Sequence, residues 1–144
     1  MALKTVKVES KLDSKFRIES TVSGHQVIVD QPTDFGGTDA GPTPLEYLLV
    51  SLAGCIGTMG RIIAMQKQIP LNGMTVSIEG DLNMDGLLGK PTEDPVGFKE
   101  IRVSVDVDAD LTAEEKMELI QEAEARCPVS WNLFNVSKVT VSAV

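Results

Sequence analysis

The chain has very few of the residues on which several classes of functional site depend. Its 144 residues include two cysteines, one histidine and one tryptophan, and aromatic residues make up only 4%. With a single histidine and no Cys-x-x-Cys motif, a zinc site would lack ligands, so we expect no metal and no other cofactor. The scarcity of aromatic residues predicts a core built from aliphatic side chains.

Positive charge is also scarce. Thirteen Lys and Arg residues stand against twenty-one Asp and Glu residues, which gives a net charge of −8. Because phosphate backbones are bound by clustered Lys and Arg, we expect no nucleic-acid partner. The longest charge-free apolar stretch, Tyr47 to Gly60, is shorter than the ~20 residues of a membrane-spanning helix, so no membrane contact is predicted. The first residues lack an apolar signal core, and two cysteines do not make a disulfide scaffold, which favours the cytoplasm.

The hydrophobic periodicity predicts an α+β fold in the order βββ–α–ββ–αα–β, within a single domain of residues 1–144. Period-two alternation and β-branched residues mark the strands, and Gly, Pro, Asp and Ser mark the turns between them. A capping box formed by Thr112 and Glu115 predicts an amphipathic helix that ends at about Arg126. A short helix is predicted to follow Pro128. The predicted strands are Lys4–Val8, Lys15–Val22, His25–Val29, Met74–Leu82, Phe98–Val107 and Lys138–Val144.

The longest predicted helix has several start signals in succession. Thr43 is a suitable N-cap, Pro44 suits the first helical position, and Glu46 completes a capping box. The apolar pattern then continues to about Gln68, just before Pro70. These signals predict a helix of about 37 Å that begins after a glycine-rich loop.

The middle of this helix is apolar on nearly all sides, which predicts burial of most of its surface. Gly54, Gly57 and Gly60 line one side, and glycines in a helix are typical of places where another backbone approaches closely. One small sheet and one amphipathic helix cannot cover so much apolar surface. We therefore expect a homodimer in which the glycine-lined faces cross.

The two cysteines, Cys55 and Cys127, lie on different predicted helices, 72 positions apart. If their sulfurs meet, one thiolate can attack a peroxide and become a sulfenic acid, and the second thiol can then form a disulfide with it. On the helix dipole alone Cys127 is the better candidate for the thiolate, because it stands at a helix start beside Arg126. Free cysteine also serves simply as a small buried apolar residue, and that alternative stays open.

Four segments together carry a family resemblance: Gly36–Gly37, Gly41–Glu46, Leu52–Cys55 and Cys127–Ser130. With them the chain resembles the OsmC/Ohr family, the osmotically induced and organic hydroperoxide resistance proteins, and is most similar to its less characterised OsmC-like branch. The resemblance implies an intertwined homodimer with thiol peroxidase activity on organic hydroperoxides, restored by a thiol reductant. It implies that Cys55 is the peroxidatic cysteine and Cys127 the resolving one, the reverse of the dipole argument.

The chain departs from the peroxidase branch at two positions that the resemblance would make catalytic. Leu45 stands where the peroxidase glutamate is expected, and Glu46 follows one residue later. Nine residues place Glu46 about 13.5 Å along the helix from Cys55 and on the opposite side, so it suits the capping box or a partner's site. Arg17 is the nearest counterpart of the family's arginine.

Three functions remain open on the sequence alone. The first is a dimeric cysteine peroxidase that uses Cys55, Cys127, Glu46 and Arg17. The second is a non-catalytic dimer of the same fold that binds or senses a small apolar ligand. The third is a structural dimer in which the cysteines only pack.

Overall fold

The computed structural model describes residues 3–144, which divide into two compact units, one reaching to Leu48 and one from Leu49 to Val144. The predicted α+β class is confirmed, while the single domain of residues 1–144 stays a prediction. In chain order the elements are β1 (Glu9–Leu12), β2 (Ile18–Val22), β3 (His25–Val29), a 3₁₀ turn (Thr33–Phe35), α1 (Pro44–Gln66), β4 (Leu71–Asp81), α2 (Met84–Leu87), β5 (Glu100–Ala109), α3 (Ala113–Ala125) and α4 (Pro128–Phe134).

The first unit contains an antiparallel three-stranded sheet in the order β1-β2-β3. The predicted third strand is confirmed, and it pairs with β2 from Ile18 opposite Val29 to Val22 opposite His25. Ser23 and Gly24 join the two strands with φ angles of 50° and 81°. Two successive positive φ angles are typical of the tight turns that match the twist of a hairpin.

The first predicted strand is displaced along the chain, whereas the second, predicted as Lys15–Val22, is confirmed over Ile18–Val22. Residues 4–8, predicted as a strand, form none, and β1 begins at Glu9 instead. Glu9 pairs with Thr21, one residue before β2 ends at Val22, so residues 4–7 extend past the end of the neighbouring strand. Residues 4–8 therefore have the alternating pattern of a strand but form no strand in the described part of the chain.

A loop that leads to α1 is organised by Asp30, whose side chain is only 1% exposed. Its carboxylate accepts hydrogen bonds from the backbone N–H groups of Gln31 (2.8 Å), Thr38 (3.1 Å) and Ala40 (3.1 Å), and from the Thr38 hydroxyl. These donors, the Thr38 hydroxyl foremost, lower the pKa of Asp30 to about 2 against the opposing effect of burial. The loop is thus closed around one buried anion.

The same loop lies backbone to backbone against the end of β3, and glycine is required at the two closest points. A Cβ atom at Gly37 would lie 1.9 Å from the carbonyl oxygen of Gln31, and one at Gly41 would lie 2.3 Å from that of Ile28. The Ile28 oxygen also accepts a hydrogen bond of 2.7 Å from the Tyr47 hydroxyl. These contacts fix the entry into α1.

The predicted start of α1 is confirmed. Thr43 Oγ1 accepts from the Glu46 N–H (3.3 Å), while Glu46 Oε2 accepts from the Thr43 N–H (2.7 Å) and hydroxyl (3.0 Å). This is a reciprocal capping box with Pro44 at the first helical position. The helix ends at Gln66, two residues before the predicted end.

The second unit pairs β4 with β5 in antiparallel register, from Met74 opposite Val107 to Asp81 opposite Glu100. The short helix α2 lies in the connection between them and was not predicted. Helix α3 begins with the predicted capping box, in which Thr112 and Glu115 satisfy each other's backbone N–H groups. The predicted short helix after Pro128 is also confirmed, as α4.

The predicted final strand, Lys138–Val144, is wrong for the single chain. No strand is present there in the described residues, and Val139 and Val141 are 79% and 93% exposed. A strand is stabilised by its neighbours through backbone hydrogen bonds and cross-strand contacts, and in the described part of the chain this segment pairs with none. Its alternating valines are therefore left open to solvent.

Helix α1 buries only one face within its own chain, and the predicted cover of its other faces by a second copy stays a prediction. In the core of the second unit, Ile63 and Ala64 pack with residues of β5 and α3, while Val50 and Met65 are 59% and 71% exposed. The expected close backbone approach is likewise not found among the described residues. A Cβ at Gly54 or Gly57 would meet nothing within 4 Å, and one at Gly60 would meet the Met74 side chain.

By length and composition alone α1 could cross a membrane, because it continues past the charge-free stretch on which the sequence prediction rested. The core helix of a soluble protein passes the same test. The Arg61 side chain of α1 donates to the Leu71 carbonyl oxygen at 2.6 Å and so joins the helix to β4. This polar contact is typical of a core helix that packs on its own sheet.

Candidate active site

The two cysteines of the chain come into contact within the second unit. Cys55 is half-buried in the interior of α1, and Cys127 is 1% exposed at the joint between α3 and α4. Both are free thiols, and Cys55 packs against the buried cluster that contains Cys127. The fold therefore brings together two sulfurs that are 72 positions apart in the sequence.

Apolar side chains surround the pair. Cys127 is buried together with Leu52 and Ile56, which flank Cys55 on α1. The partly buried residues packed against this cluster come from β4, β5 and α4, and include Val76, Ile78, Ile101, Val105 and Val129. The two sulfurs therefore lie in an apolar environment that holds little water.

The first turn of α4 supplies polar groups to both sulfurs. Cys127 is the N-cap residue of α4, and its Sγ accepts a hydrogen bond of 3.3 Å from the Ser130 N–H. The Val129 N–H acts on the Cys55 sulfur in the direction that lowers the pKa of that thiol. Pro128 occupies the first helical position and has no N–H to give, so the next two amides are the ones directed at the cysteines.

The pKa of the Cys55 thiol lies above its ordinary value. Burial is the main cause, and the hydrogen bond with Cys127 and the repulsion from a charged Cys127 act in the same direction. The Val129 N–H acts the other way, because it stabilises the thiolate. On balance the surroundings favour the neutral thiol of Cys55 and raise its pKa.

This environment predicts a pH dependence for the alkylation of Cys55. We expect the rate with iodoacetamide to rise about tenfold per pH unit to at least pH 9, because only the thiolate reacts. Mass spectrometry of the two cysteine peptides separates Cys55 from Cys127 in one sample. A plateau below pH 7 would contradict a raised pKa and would indicate a cation from outside the second unit.

The other two predicted site residues belong to the first unit. Glu46 is occupied in the capping box of α1, the use that its spacing from Cys55 favoured. Arg17 precedes β2 and forms an exposed ion pair with Glu19 at 2.9 Å. Its Nε atom is buried and has no hydrogen-bond partner among the described residues. Their catalytic roles stay predictions.

A cavity of about 710 Å³ lies beside the sulfur cluster in the second unit. Leu52, Ile56 and Ser130 line it, so it shares walls with the cysteine pair, although neither cysteine lines it. Its remaining walls are mostly apolar residues of β5, α3 and α4, with Lys99, Glu100 and Glu124 among the polar ones. The volume falls within the range of small-molecule sites.

Sequence reasoning identified both sulfurs and missed the backbone groups around them. The amides of Val129 and Ser130 carry no side-chain signal, and only the helix start at Pro128 pointed to them. Among the described residues, no cluster of three or more His, Cys, Asp or Glu side chains could hold a metal ion.

The α+β fold and the paired sulfurs define a protein with a two-thiol site in an apolar cluster. More narrowly, the chain belongs to the OsmC-like protein family, whose profile matches residues 37–142. The resemblance drawn from the sequence motifs is thereby confirmed.

The chain is also similar to individual members of known function or structure. It is 27% identical to the hydroperoxide reductase of Mycoplasma pneumoniae over 105 residues, 73% of this chain and 71% of that protein. The crystal structure of an OsmC-like protein from Mycoplasma pneumoniae matches with a TM-score of 0.80 at 24% identity, covering 92% and 89% of the two chains. An organic hydroperoxide resistance protein OsmC from Legionella pneumophila matches with a TM-score of 0.68 at 21% identity, over 92% and 91%.

Proposed function

We propose that this protein is a cysteine-based peroxidase that reduces organic hydroperoxides in the cytoplasm as part of an oxidative stress response. Cys55 is the peroxidatic cysteine and Cys127 the resolving cysteine. The observation that carries the proposal is the contact between the two thiols inside an apolar cluster. The hydroperoxide reductase to which the chain is similar supports the choice of substrate class.

The reaction uses the two sulfurs in turn. The Cys55 thiolate attacks one peroxide oxygen, the O–O bond breaks, and the alcohol leaves after taking a proton, so that Cys55 becomes a sulfenic acid. The Cys127 sulfur then attacks the Cys55 sulfur, the S–O bond breaks, and water leaves. Two thiols and one hydroperoxide thus give one disulfide, one alcohol and one water, and an external thiol reductant restores the pair by exchange.

The assignment of Cys55 follows from position as well as resemblance. Cys55 is half-exposed, whereas Cys127 is buried and already accepts the Ser130 N–H. The Val129 N–H supports negative charge on the Cys55 sulfur. A sulfur that a peroxide can reach and that has a donor beside it is the better first nucleophile.

The test is the stoichiometry of one turnover without reductant. Reduced protein mixed with cumene hydroperoxide should consume one peroxide per chain and lose both thiols. The product, seen by mass spectrometry, should be an intramolecular Cys55–Cys127 disulfide. Peroxide that survives while both thiols remain would refute the function.

A second function, binding or sensing of a small apolar ligand without catalysis, is supported by two observations. The pKa of Cys55 is raised, which lowers the thiolate fraction at neutral pH, and an apolar cavity of about 710 Å³ adjoins the site. Saturable binding of a fluorescent apolar probe together with the absence of peroxide turnover would favour this function over the first.

A homodimer is part of the proposal, because much apolar surface of the single chain has no cover. Val50 and Met65 of α1 are exposed, and so are the alternating valines of the C-terminal segment. Val139 and Val141 share one face of this segment, and Thr140 and Ser142 share the other. We propose that the segment becomes a strand when it pairs with a second copy.

Charge on the apolar face of that segment is expected to separate the dimer. The double substitution Val139→Asp with Val141→Asp would bury two carboxylates at the contact, so the mass in solution should fall toward the 15.5 kDa of one chain. Light scattering after gel filtration measures the mass. Thr140→Asp with Ser142→Asp adds the same charge on the opposite face and should leave the dimer intact; equal behaviour of the two variants would contradict the model.

Arg17 and Glu46 complete the proposed catalytic set. Arg17 is proposed as the cation that favours the Cys55 thiolate, and the unpartnered Nε atom supports this role, because the guanidinium group has donor capacity left. Glu46 is proposed to orient that arginine while its carboxylate also caps α1. Loss of Arg17 should then raise the pH at which Cys55 is alkylated.

A further inference from the structure

We propose that the Cys127 sulfur links the redox state of the cysteine pair to the order of α4, and through α4 to the shape of the neighbouring cavity. The claim about the oxidised protein rests on the proposed function, since it requires the Cys55–Cys127 disulfide. The claim about the reduced protein rests on the hydrogen bond between the Ser130 N–H and Cys127 Sγ.

Helix α4 depends on its cap more than most helices do. It has only seven residues, and a helix of that length is marginal in water without help from its ends or from packing. Its packing is limited, because Trp131 and Phe134 are 56% and 78% exposed. The residue after it, Asn135, is extended, so nothing continues the helix.

The cap is a sulfur where Ser, Thr, Asp or Asn is usual. Cys127 has an extended backbone (φ −80°, ψ 112°), as an N-cap residue requires, and its Sγ satisfies the N–H of the third helical residue. A free thiol or thiolate can hold this position. The same sulfur is the one that must react with Cys55.

Disulfide formation competes with capping because it requires movement. A disulfide bond is about 2.05 Å long with a restricted dihedral angle, much shorter than any non-bonded contact between sulfurs. Cys55 is held in the interior of α1, whereas Cys127 lies in the joint between α3 and α4. The Cys127 sulfur is therefore the one that moves, and it leaves the Ser130 N–H without its acceptor.

The consequence reaches the cavity, because Ser130, Leu133 and Phe134 of α4 form part of its wall. When the pair is oxidised, with an organic hydroperoxide or a diazene as oxidant, two thiols become one disulfide and the first turn of α4 loses a hydrogen bond. The wall then loosens. The reduced protein therefore holds this wall of the cavity in place, and the disulfide form makes it more mobile.

Hydrogen exchange at the Ser130 amide tests whether Cys127 caps α4 in the reduced protein. Cys127→Ala should raise the exchange rate by roughly 2- to 30-fold, the range expected for loss of an N-cap, whereas Cys127→Ser should leave it near the wild-type rate. The Val107 amide, in the core strand β5, serves as an internal reference for global stability. Equal exchange in the alanine and serine variants, or an unchanged rate in Cys127→Ala, would overturn the cap.

Oxidation with diamide tests whether the disulfide loosens α4, because diamide forms the disulfide without any peroxidase activity. In the wild type it should speed exchange at Ser130 and lower the fluorescence anisotropy of Trp131, the only tryptophan of the chain. Cys55→Ser, which cannot form the bridge, should show neither change. A disulfide form that protects Ser130 as well as the reduced form would overturn the link, whereas failure of the peroxidase proposal alone would leave these diamide results as expected.

Discussion

Replacement of Cys55 by serine is expected to abolish the consumption of organic hydroperoxide, with a fall of roughly 10³-fold or more in rate. The reason is that only a thiolate attacks the peroxide oxygen at a useful rate, and a serine hydroxyl is not ionised near neutral pH. Coupled consumption of cumene hydroperoxide with a dithiol reductant measures the effect. The variant should remain folded, since the Cys55 side chain is only half-buried.

Cys127→Ser provides the matched comparison, because it removes the second sulfur and keeps the first. We expect it to consume about one peroxide per chain in a rapid first phase and then to stop or slow, with a sulfenic acid at Cys55 that a dimedone probe can trap. Turnover by Cys55→Ser equal to that of the wild type would contradict the mechanism. Equal loss of the first phase in both variants would contradict the order of the two roles.

The parts of the fold that could be predicted are those whose signals are local. The capping boxes at Thr43 and Thr112 each concern four residues whose side chains and backbone satisfy one another, so the sequence alone determines them. The hairpin at Ser23 and Gly24 is similar, because a tight turn selects its own residues. The helix start at Pro128 placed Cys127 correctly for the same reason.

The features that could not be predicted from the sequence are those that depend on a neighbouring strand or surface. Alternation at Lys138–Val144 predicts a strand, yet a strand also needs an edge with which to pair, and the described residues of one chain offer none to it. The apolar surface of α1 likewise predicts burial, whereas the sequence does not say whether the cover comes from the same chain or another. In both cases the sequence does not identify the surface that covers the segment.

The candidate site likewise has features that the sequence predicts and features that it does not. The two cysteines could be found by rarity and by their motifs, and the Glu46 spacing already favoured the cap over the catalytic role. The contact between the sulfurs depends on how α1 packs against α4, which no local signal determines. Asp30 was missed entirely, because a single aspartate at the end of a strand is common in exposed turns.

The substitution Asp30→Ala is expected to destabilise the first unit severely, with a fall in Tm on the order of 10 °C or more. It would leave four donors without an acceptor: the N–H groups of Gln31, Thr38 and Ala40, and the Thr38 hydroxyl. The hydrogen bonds to this buried carboxylate are partly shielded from water, so their loss costs more than the loss of exposed hydrogen bonds. Thermal unfolding followed by circular dichroism measures the effect, with Asp34→Ala, at an exposed position in the same loop, as the control.

The pH dependence gives an independent check on the same carboxylate. The pKa of Asp30 is about 2 in the folded chain and about 3.8 when unperturbed, so its contribution to stability is complete above about pH 4. That contribution is lost as the pH falls from there through 2, because the carboxylate takes up its proton sooner in the unfolded chain. Asp30→Asn keeps Oδ1 but turns an NH₂ group toward the donors of Thr38 and Ala40, so it should be as unstable as Asp30→Ala at pH 7. Both variants should also lose the part of the decline between pH 4 and 2 that Asp30 contributes, while the part due to other carboxylates with lowered pKa values, such as Asp81 and Asp94, remains. An asparagine variant with wild-type stability at pH 7 would show that the anion does not hold the loop.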